Sequence, residues 1–168
     1  LRKTEEVIAY LKKRGMKGET AKTFGIGFAP AGWRNLYDFL KDKGWSDSEM
    51  EKAGMAVKSA KAQAGYYDRF RSRIMFPILS ASGQAIGFSG RIFGEEGTDS
   101  GGKYINSPQT VLYDKSKILY GFDKAKNEIR KKDSCVIVEG QMDAVMSHQA
   151  GAANAVAVKI HTSQLASA

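Results

Sequence analysis

Between Cys135 and Val158 the sequence changes its period twice, and no other stretch restricts the possible folds as much. Cys135-Val136-Ile137-Val138 is a continuous apolar run, the pattern of a strand buried on both faces. Met142–Ala150 then reads as a helix that Gly151 can stop, and Asn154–Val158 as a second strand. Strand, helix and strand over so short a span make a βαβ unit with the compact connections of α/β folds. On this pattern Cys135 is a buried packing residue.

The chain before this unit has a different organisation. Thr4–Arg14 reads as a helix capped by Thr4, with Val7, Ile8 and Leu11 on one face and Gly15 at its end. A short helix is expected over Glu19–Phe24, then a turn flanked by Gly25 and Gly27 that leads into Phe28-Ala29-Pro30. Trp33–Lys43 predicts a third helix with Leu36, Phe39 and Leu40 on one stripe. Ser46 and Glu49 have capping-box spacing for a fourth, which Gly54 closes. Tyr66–Leu79 and Gln84–Phe93 alternate on either side of Ala81-Ser82-Gly83, which predicts a hairpin. Gly94–Gly102 follows as a loop, and Phe122–Lys132 as a helix with Phe122, Ala125 and Ile129 inward. The expected fold is thus an α+β part of small helices and a β-hairpin sheet over residues 1–133. Residues 134–168 then hold the first βαβ part of an α/β domain.

Charge divides at the same boundary. The chain has 26 Lys and Arg against 18 Asp and Glu, a net charge of +8. Residues 134–168 hold Lys159 against Glu139 and Asp143, or 1 − 2 = −1, so residues 1–133 carry 8 − (−1) = +9. A basic body joined to a weakly acidic end suits a polyanionic ligand, with carboxylates left for another task. A hydrophobic content of 42% and a charged content of 26% exclude a disordered chain. A single cysteine excludes an internal disulfide and a cysteine zinc site. No apolar stretch nears the roughly 20 residues of a membrane span, and the N-terminus has no signal-peptide core. A soluble protein of a reducing compartment is expected. Leu1 opens almost directly onto a helix, so we expect the sequence to start inside a longer gene product.

Three groups of residues can carry chemistry. In an extended strand Arg69, Arg71 and Arg73 share one face, while Phe70, Ile74 and Phe76 turn to the core. Such a row matches a chain of phosphates, because guanidinium forks bind phosphate oxygens bidentately; the plainer alternative is a solvated strand face. Arg91, Lys103, Tyr104, Asn106 and Lys115 mix bases with an aromatic, as in grooves that hold a single strand and stack its bases. The alternative is an ordinary loop between a hairpin and a helix. Glu139 directly follows the strand Val136–Val138, at the end where open α/β sheets bind ligands. Asp143 lies one helical turn on, and the pair suits magnesium, which takes one or two carboxylates and completes its shell with water and phosphate. Otherwise both are solvated acids, Asp143 favoured by the helix dipole. Gly25-Ile26-Gly27 and Gly87-Phe88-Ser89-Gly90 lack the strand–helix setting of a nucleotide loop, and His148 suits a surface or packing role.

These motifs are also ordered as in a known family. Tyr67-Asp68-Arg69-Phe70-Arg71-Ser72-Arg73-Ile74-Met75-Phe76-Pro77-Ile78 resembles the central basic motif of bacterial DnaG-type primases. Gly87-Phe88-Ser89-Gly90-Arg91, Lys103-Tyr104-Ile105-Asn106-Ser107-Pro108 and Leu119-Tyr120-Gly121 are similar to those that follow it. Val138-Glu139-Gly140-Gln141-Met142-Asp143 resembles the opening of the TOPRIM fold, a Rossmann-like domain. The resemblance implies a synthase of short RNA primers from ribonucleoside triphosphates, templated by single-stranded DNA, in the bacterial cytoplasm at the replication fork. It implies Glu139 and Asp143 as catalytic ligands of Mg2+ or Mn2+. Arg69, Arg71 and Arg91 would lie along template or triphosphate, with Arg73 in the same row, and Lys103, Tyr104, Asn106 and Lys115 in the same cleft.

The departures from that pattern set further expectations. Position 141 is Gln where the family usually has an aromatic, and residues 159–168 do not follow its continuation. The later Asp-x-Asp, the zinc-binding domain and the helicase-binding C-terminal domain are not in this sequence. The chain is therefore expected to be an incomplete core without zinc, which binds but does not polymerise alone. Two rival readings stand beside it. One is a phage or plasmid primase–helicase relative, and the other is a non-catalytic single-strand-binding module.

Overall fold

The computed structural model describes residues 2–60, 65–94 and 102–158. The expected loop over 94–102 and the divergent tail over 159–168 fall almost wholly outside these residues. Helix α1 (Arg2–Lys13) buries Val7 and Leu11, spaced i and i+4, while Ile8 points to solvent. Its inner face is thus narrower than expected, and Thr4 lies inside the helix instead of capping it, because the first turn forms earlier. Helix α2 (Gly18–Thr23) follows, then a three-residue strand, β1 (Gly27–Ala29), where a turn was expected. Three residues are too few for alternation to register, and this strand exists through its pairing alone.

The next elements form a small unit. Helix α3 (Asn35–Asp42) starts two residues later than expected and turns Tyr37 inward, leaving Leu36 and Phe39 exposed. The reason lies in a distant residue: the Asp68 carboxylate accepts the Leu36 and Tyr37 N–H groups, each at 2.8 Å. This fixes where the helix starts and which side faces in. Helix α4 (Asp47–Lys52) has the expected capping box, with the Ser46 hydroxyl accepting the Glu49 N–H and the Glu49 carboxylate accepting the Ser46 N–H. Strand β2 (Ala56–Lys58) pairs antiparallel with β3 (Tyr66–Asp68) and closes this unit over Tyr37, Met50 and Ala56.

The expected hairpin is present as β4 (Arg73–Leu79) and β5 (Ala85–Ile92), joined through Ala81-Ser82-Gly83. Tyr66–Leu79 is not one strand, however; it breaks between β3 and β4, and the two halves belong to different sheets. A third partner, β6 (Tyr104–Asn106), pairs with β5, giving an antiparallel sheet in the order β1-β4-β5-β6. Ile74, Phe76 and Ile78 bury one face of β4, as expected.

Helix α5 (Phe122–Lys132) has the expected bounds, with Ala125 buried, Ile129 half-buried and Phe122 exposed. The βαβ unit also forms, with β7 (Val136–Val138), α6 (Gln141–Gln149) and β8 (Ala155–Ala157), and its two strands are parallel. Which strand is interior differs from expectation. Strand β8 is fully buried between β7 and Tyr120, which exchanges two 3.0 Å backbone hydrogen bonds with Ala157. Strand β7 has β8 on one side and no paired strand on the other among the described residues, so Ile137 is 65% exposed and Cys135 is also exposed.

Apart from the small unit over Tyr37, Met50 and Ala56, a second apolar core joins α1, α2, the four-stranded sheet and the βαβ unit. Val7, Leu11, Met16 and Phe24 pack with Ile74, Phe76 and Ile78 and with Met142, Ala144, Val145 and Ala157. The core therefore runs across the boundary expected at residue 133. His148 has the expected packing role, its ring edge-on to Phe24 with Nε2 2.8 Å from the Ala155 carbonyl.

Because two backbone N–H groups depend on it, Asp68→Ala is expected to destabilise the chain by about 2 kcal/mol. Asp68→Asn, which keeps one carbonyl oxygen, should fall between. Urea unfolding measures both; an unchanged midpoint for Asp68→Ala would mean that the carboxylate does not hold α3.

Candidate nucleic-acid interface

The three arginines expected in one row have three separate environments. Residues 69–72 are not strand, and Ser72 takes a positive φ of 48°. This left-handed residue turns the chain between the two sheets, so the alternation that would align the arginines is lost. Arg73 is only 2% exposed, and its Nη1 donates to the carbonyls of Gly90 and Gly102, both at 3.2 Å. Gly90 must be glycine here: a Cβ would lie 2.9 Å from Phe70 and 3.0 Å from the Arg73 Cδ. Arg71 instead stacks on aromatic rings, with its Cζ 4.2 Å from the centre of Trp33 and 5.0 Å from that of Tyr67. Its Nη1 donates to the Asp68 carbonyl. Arg69 is half-buried and its Nε makes no hydrogen bond among the described residues. Burial holds all three guanidinium groups below the usual arginine pKa.

A second group does come together. Arg91 on β5 lies opposite Tyr104 on β6, and its Cζ is 5.2 Å from the Tyr10 ring centre. Burial pushes the Tyr104 hydroxyl up; Arg91 opposes this by charge and hydrogen bond, while Tyr10 and Asp143 add to it. Tyr104 thus lies within electrostatic reach of a basic residue of the sheet and an acid of α6. Two residues along the ladder Asn106 faces Ser89, while Lys103 is exposed at the start of β6. Lys115 is half-buried in the 3-10 turn Lys115–Lys117.

The acid end of this region is the start of α6. Glu139 is exposed immediately after β7, and one Asp143 oxygen accepts the Gly140 N–H at 3.1 Å. Gln141 is 4% exposed and donates from Nε2 to the Ser89 hydroxyl at 2.9 Å, also buried. The helix start is therefore pinned to the central strand that carries Arg91. As hard oxygen donors, Glu139 and Asp143 fit Mg2+ or Mn2+ in kind. Among the described residues they form no group of three or more ligands.

The sequence offered no sign of two of these contacts. Trp33 and Tyr67 around Arg71 are 34 residues apart and meet only through the fold, and Ser89 looked like part of a glycine-rich strand. Position 141 did carry a signal, since the glutamine follows closely on a predicted strand end and departs from the pattern the motif resembles.

A family profile described as the N-terminal domain of the DNA primase catalytic core matches residues 1–126. The DNA primase of Staphylococcus aureus (strain COL) is 42% identical over 153 residues, which cover 91% of this chain and 25% of that protein. The RNA polymerase domain of Mycobacterium tuberculosis primase DnaG, solved in complex with double-stranded DNA, aligns with a TM-score of 0.84 and 37% identity. That alignment covers 91% of this chain and 47% of that one. A DnaG primase catalytic domain bound to single-stranded DNA aligns with a TM-score of 0.78 and 39% identity, over 94% of this chain and 47% of that one. The chain thus spans about a quarter of the curated relative and about half of each solved domain.

Ser89→Ala leaves the Gln141 amide buried without its acceptor and is expected to destabilise the chain by about 1–3 kcal/mol. Pairing it with Gln141→Met, which removes the stranded donor, should restore most of that loss. Urea midpoints compared with those of the exposed Ser48→Ala decide the matter; equal effects at positions 48 and 89 would mean that the bond adds nothing.

Proposed function

The chain belongs to the DnaG-type DNA primases, and from this membership we propose that it guides single-stranded DNA template past a basic sheet toward the acids at the start of α6. The whole protein would copy that template into short RNA primers from ribonucleoside triphosphates, in the cytoplasm at the replication fork. It would meet the replicative helicase through a segment outside this sequence. The observation that carries this reading is the 2.9 Å bond from Gln141 to Ser89, which ties the start of α6, with Glu139 and Asp143 on either side of it, to the strand that carries Arg91.

Each residue has a distinct task in this reading. The Arg91 guanidinium offers a planar fork to phosphate, and its stacking on Tyr10 keeps the fork oriented without consuming its donors. Lys103 supplies an exposed point charge beside Tyr104, and the half-buried Lys115 is a further candidate charge. The Tyr104 ring and the Asn106 amide offer a surface for a base and a hydrogen-bonding edge. Arg69, which is only half-buried, remains a candidate phosphate ligand. Arg73 serves the fold, because its Nη1 already bonds two carbonyls and solvent scarcely reaches the side chain.

Glu139 and Asp143 would hold Mg2+ or Mn2+, the cation that in nucleotidyl transfer activates the attacking hydroxyl and neutralises the leaving pyrophosphate. The Gly140 N–H holds one Asp143 oxygen and so orients the carboxylate. Gln141 keeps the turn that carries Glu139 in fixed relation to β5.

Binding of this chain to single-stranded DNA should weaken as salt rises. Arg91→Ala/Lys103→Ala should reduce the slope of log K against log salt by about 0.7 for each phosphate that the variant no longer neutralises. Equal slopes would remove these residues from the groove. In a full-length primase carrying this chain, Glu139→Gln should lower primer synthesis on the order of a hundredfold while leaving template affinity unchanged. Unimpaired synthesis would reject the metal role.

A further inference from the structure

Helix α1 belongs neither to the sheet that carries Arg91 nor to the unit that carries the acids, yet it is bound to both. Toward the sheet it presents Tyr10, a half-buried residue whose ring centre lies 5.2 Å from the Arg91 Cζ. That ring is itself fixed. It stands edge-on to Phe93, with centres 5.5 Å apart and planes at 64°, and Phe93 is edge-on to Phe28 of β1 in turn. Arg91 therefore rests on a surface that α1, β1 and the residue after β5 hold together.

Toward α6 the same helix presents the elbow that joins it to α2. Gly15 follows α1 with a left-handed φ of 82°, and its carbonyl accepts the Gln149 Nε2 at 2.7 Å. The Gln149 Oε1 accepts the Lys17 N–H, also at 2.7 Å. One side-chain amide thus grips the backbone of the elbow at two points. A Cβ on Gly15 would lie 3.7 Å from the Met146 Cε, so α6 also packs against this turn. Gln149 ends α6, whereas Asp143 lies in its first turn.

These contacts close a circuit. Ser89 on β5 bonds Gln141 at the start of α6, Gln149 at its end bonds the elbow of α1, and Tyr10 on α1 supports Arg91, two residues along β5 from Ser89. Three elements joined pairwise hold one another in a single arrangement. We propose that α1 is a strut that sets the Arg91 fork against the acids at the start of α6, with Tyr10 and Gln149 as its two positioning residues. In this role neither residue contacts phosphate or metal; Tyr10 acts through Arg91 and Gln149 through α6. The strut rests on the reading of Arg91 as a phosphate ligand and adds how that ligand is kept in register with the carboxylates. Register matters because a displacement of about 1 Å at a reacting centre can cost on the order of a hundredfold in rate.

Primer synthesis at saturating template and nucleotide tests the strut, in a full-length primase carrying this chain and below the unfolding temperature of every variant. Tyr10→Leu and Gln149→Met should each lower the turnover rate about tenfold, whereas Tyr10→Phe, which keeps the ring, should stay within about twofold of the parent. The double variant Tyr10→Leu/Gln149→Met should be no slower than either single one, because both break the same strut. A loss of about a hundredfold in the double variant would reveal two independent packing defects and overturn the proposal. Single variants that turn over at the parental rate would overturn it too. Arg91→Ala separates the two kinds of failure. If it is slow beside unimpaired Tyr10→Leu and Gln149→Met, the strut alone falls; if it is itself unimpaired, the phosphate reading falls with it.

Discussion

The buried carboxylate of Asp68 organises the first half of this protein. It is 3% exposed and accepts the N–H groups of Leu36 and Tyr37 in the first turn of α3, from a strand more than thirty residues away. Burying a charge is costly unless hydrogen bonds satisfy it. Here burial pushes the carboxyl above the usual aspartate range, while the two N–H groups and the Arg71 charge pull it back. The same residue donates its own N–H to Trp33 and offers its carbonyl to Arg71. Helix α3, strand β3 and the aromatic cluster beside them therefore share one fixed point. The small core of Tyr37, Met50 and Ala56 is apolar enough to pack but too small to orient its helices alone.

The second half depends on glutamine in the same way. At its start α6 is bonded to the sheet by Gln141 and Ser89. At its end the Gln149 amide donates to the Gly15 carbonyl and accepts the Lys17 N–H, each at 2.7 Å. Between these anchors Met142, Ala144 and Val145 enter the common core. A helix held at both ends and along one side cannot shift without disturbing the basic sheet. The acids at its start are therefore positioned by residues far upstream in sequence.

Elements with a long or chemically marked pattern were legible in advance. The hairpin around Ala81-Ser82-Gly83, the Ser46 capping box, the bounds of α5 and the βαβ unit follow from periodicity and turn chemistry. Strands β1, β2 and β6 were not legible, since each has three residues and forms only because a longer neighbour offers it a ladder. The arginine row failed for a related reason. Alternation assumes an unbroken strand, and one left-handed serine undoes it without any glycine or proline to warn of it. Strand β7 has the composition of an interior strand, but composition does not say which neighbours lie within the same stretch of chain. For the site, residue types and their order were informative, whereas the partners that aim them were hidden by sequence distance.

The Gln149–Gly15 bond joins residues 134 positions apart. Synthesis delivers the chain from its N-terminus, at a rate of roughly 5–20 residues per second. Helix α1 therefore leaves the ribosome many seconds before the helix that covers it is made. Until then Val7, Leu11 and Met16 have no α6 to pack against, and β4 and β5 lack one wall of their core. The wall that Met142, Ala144, Val145 and Ala157 supply to the N-terminal core is thus the latest part of that core to be synthesised.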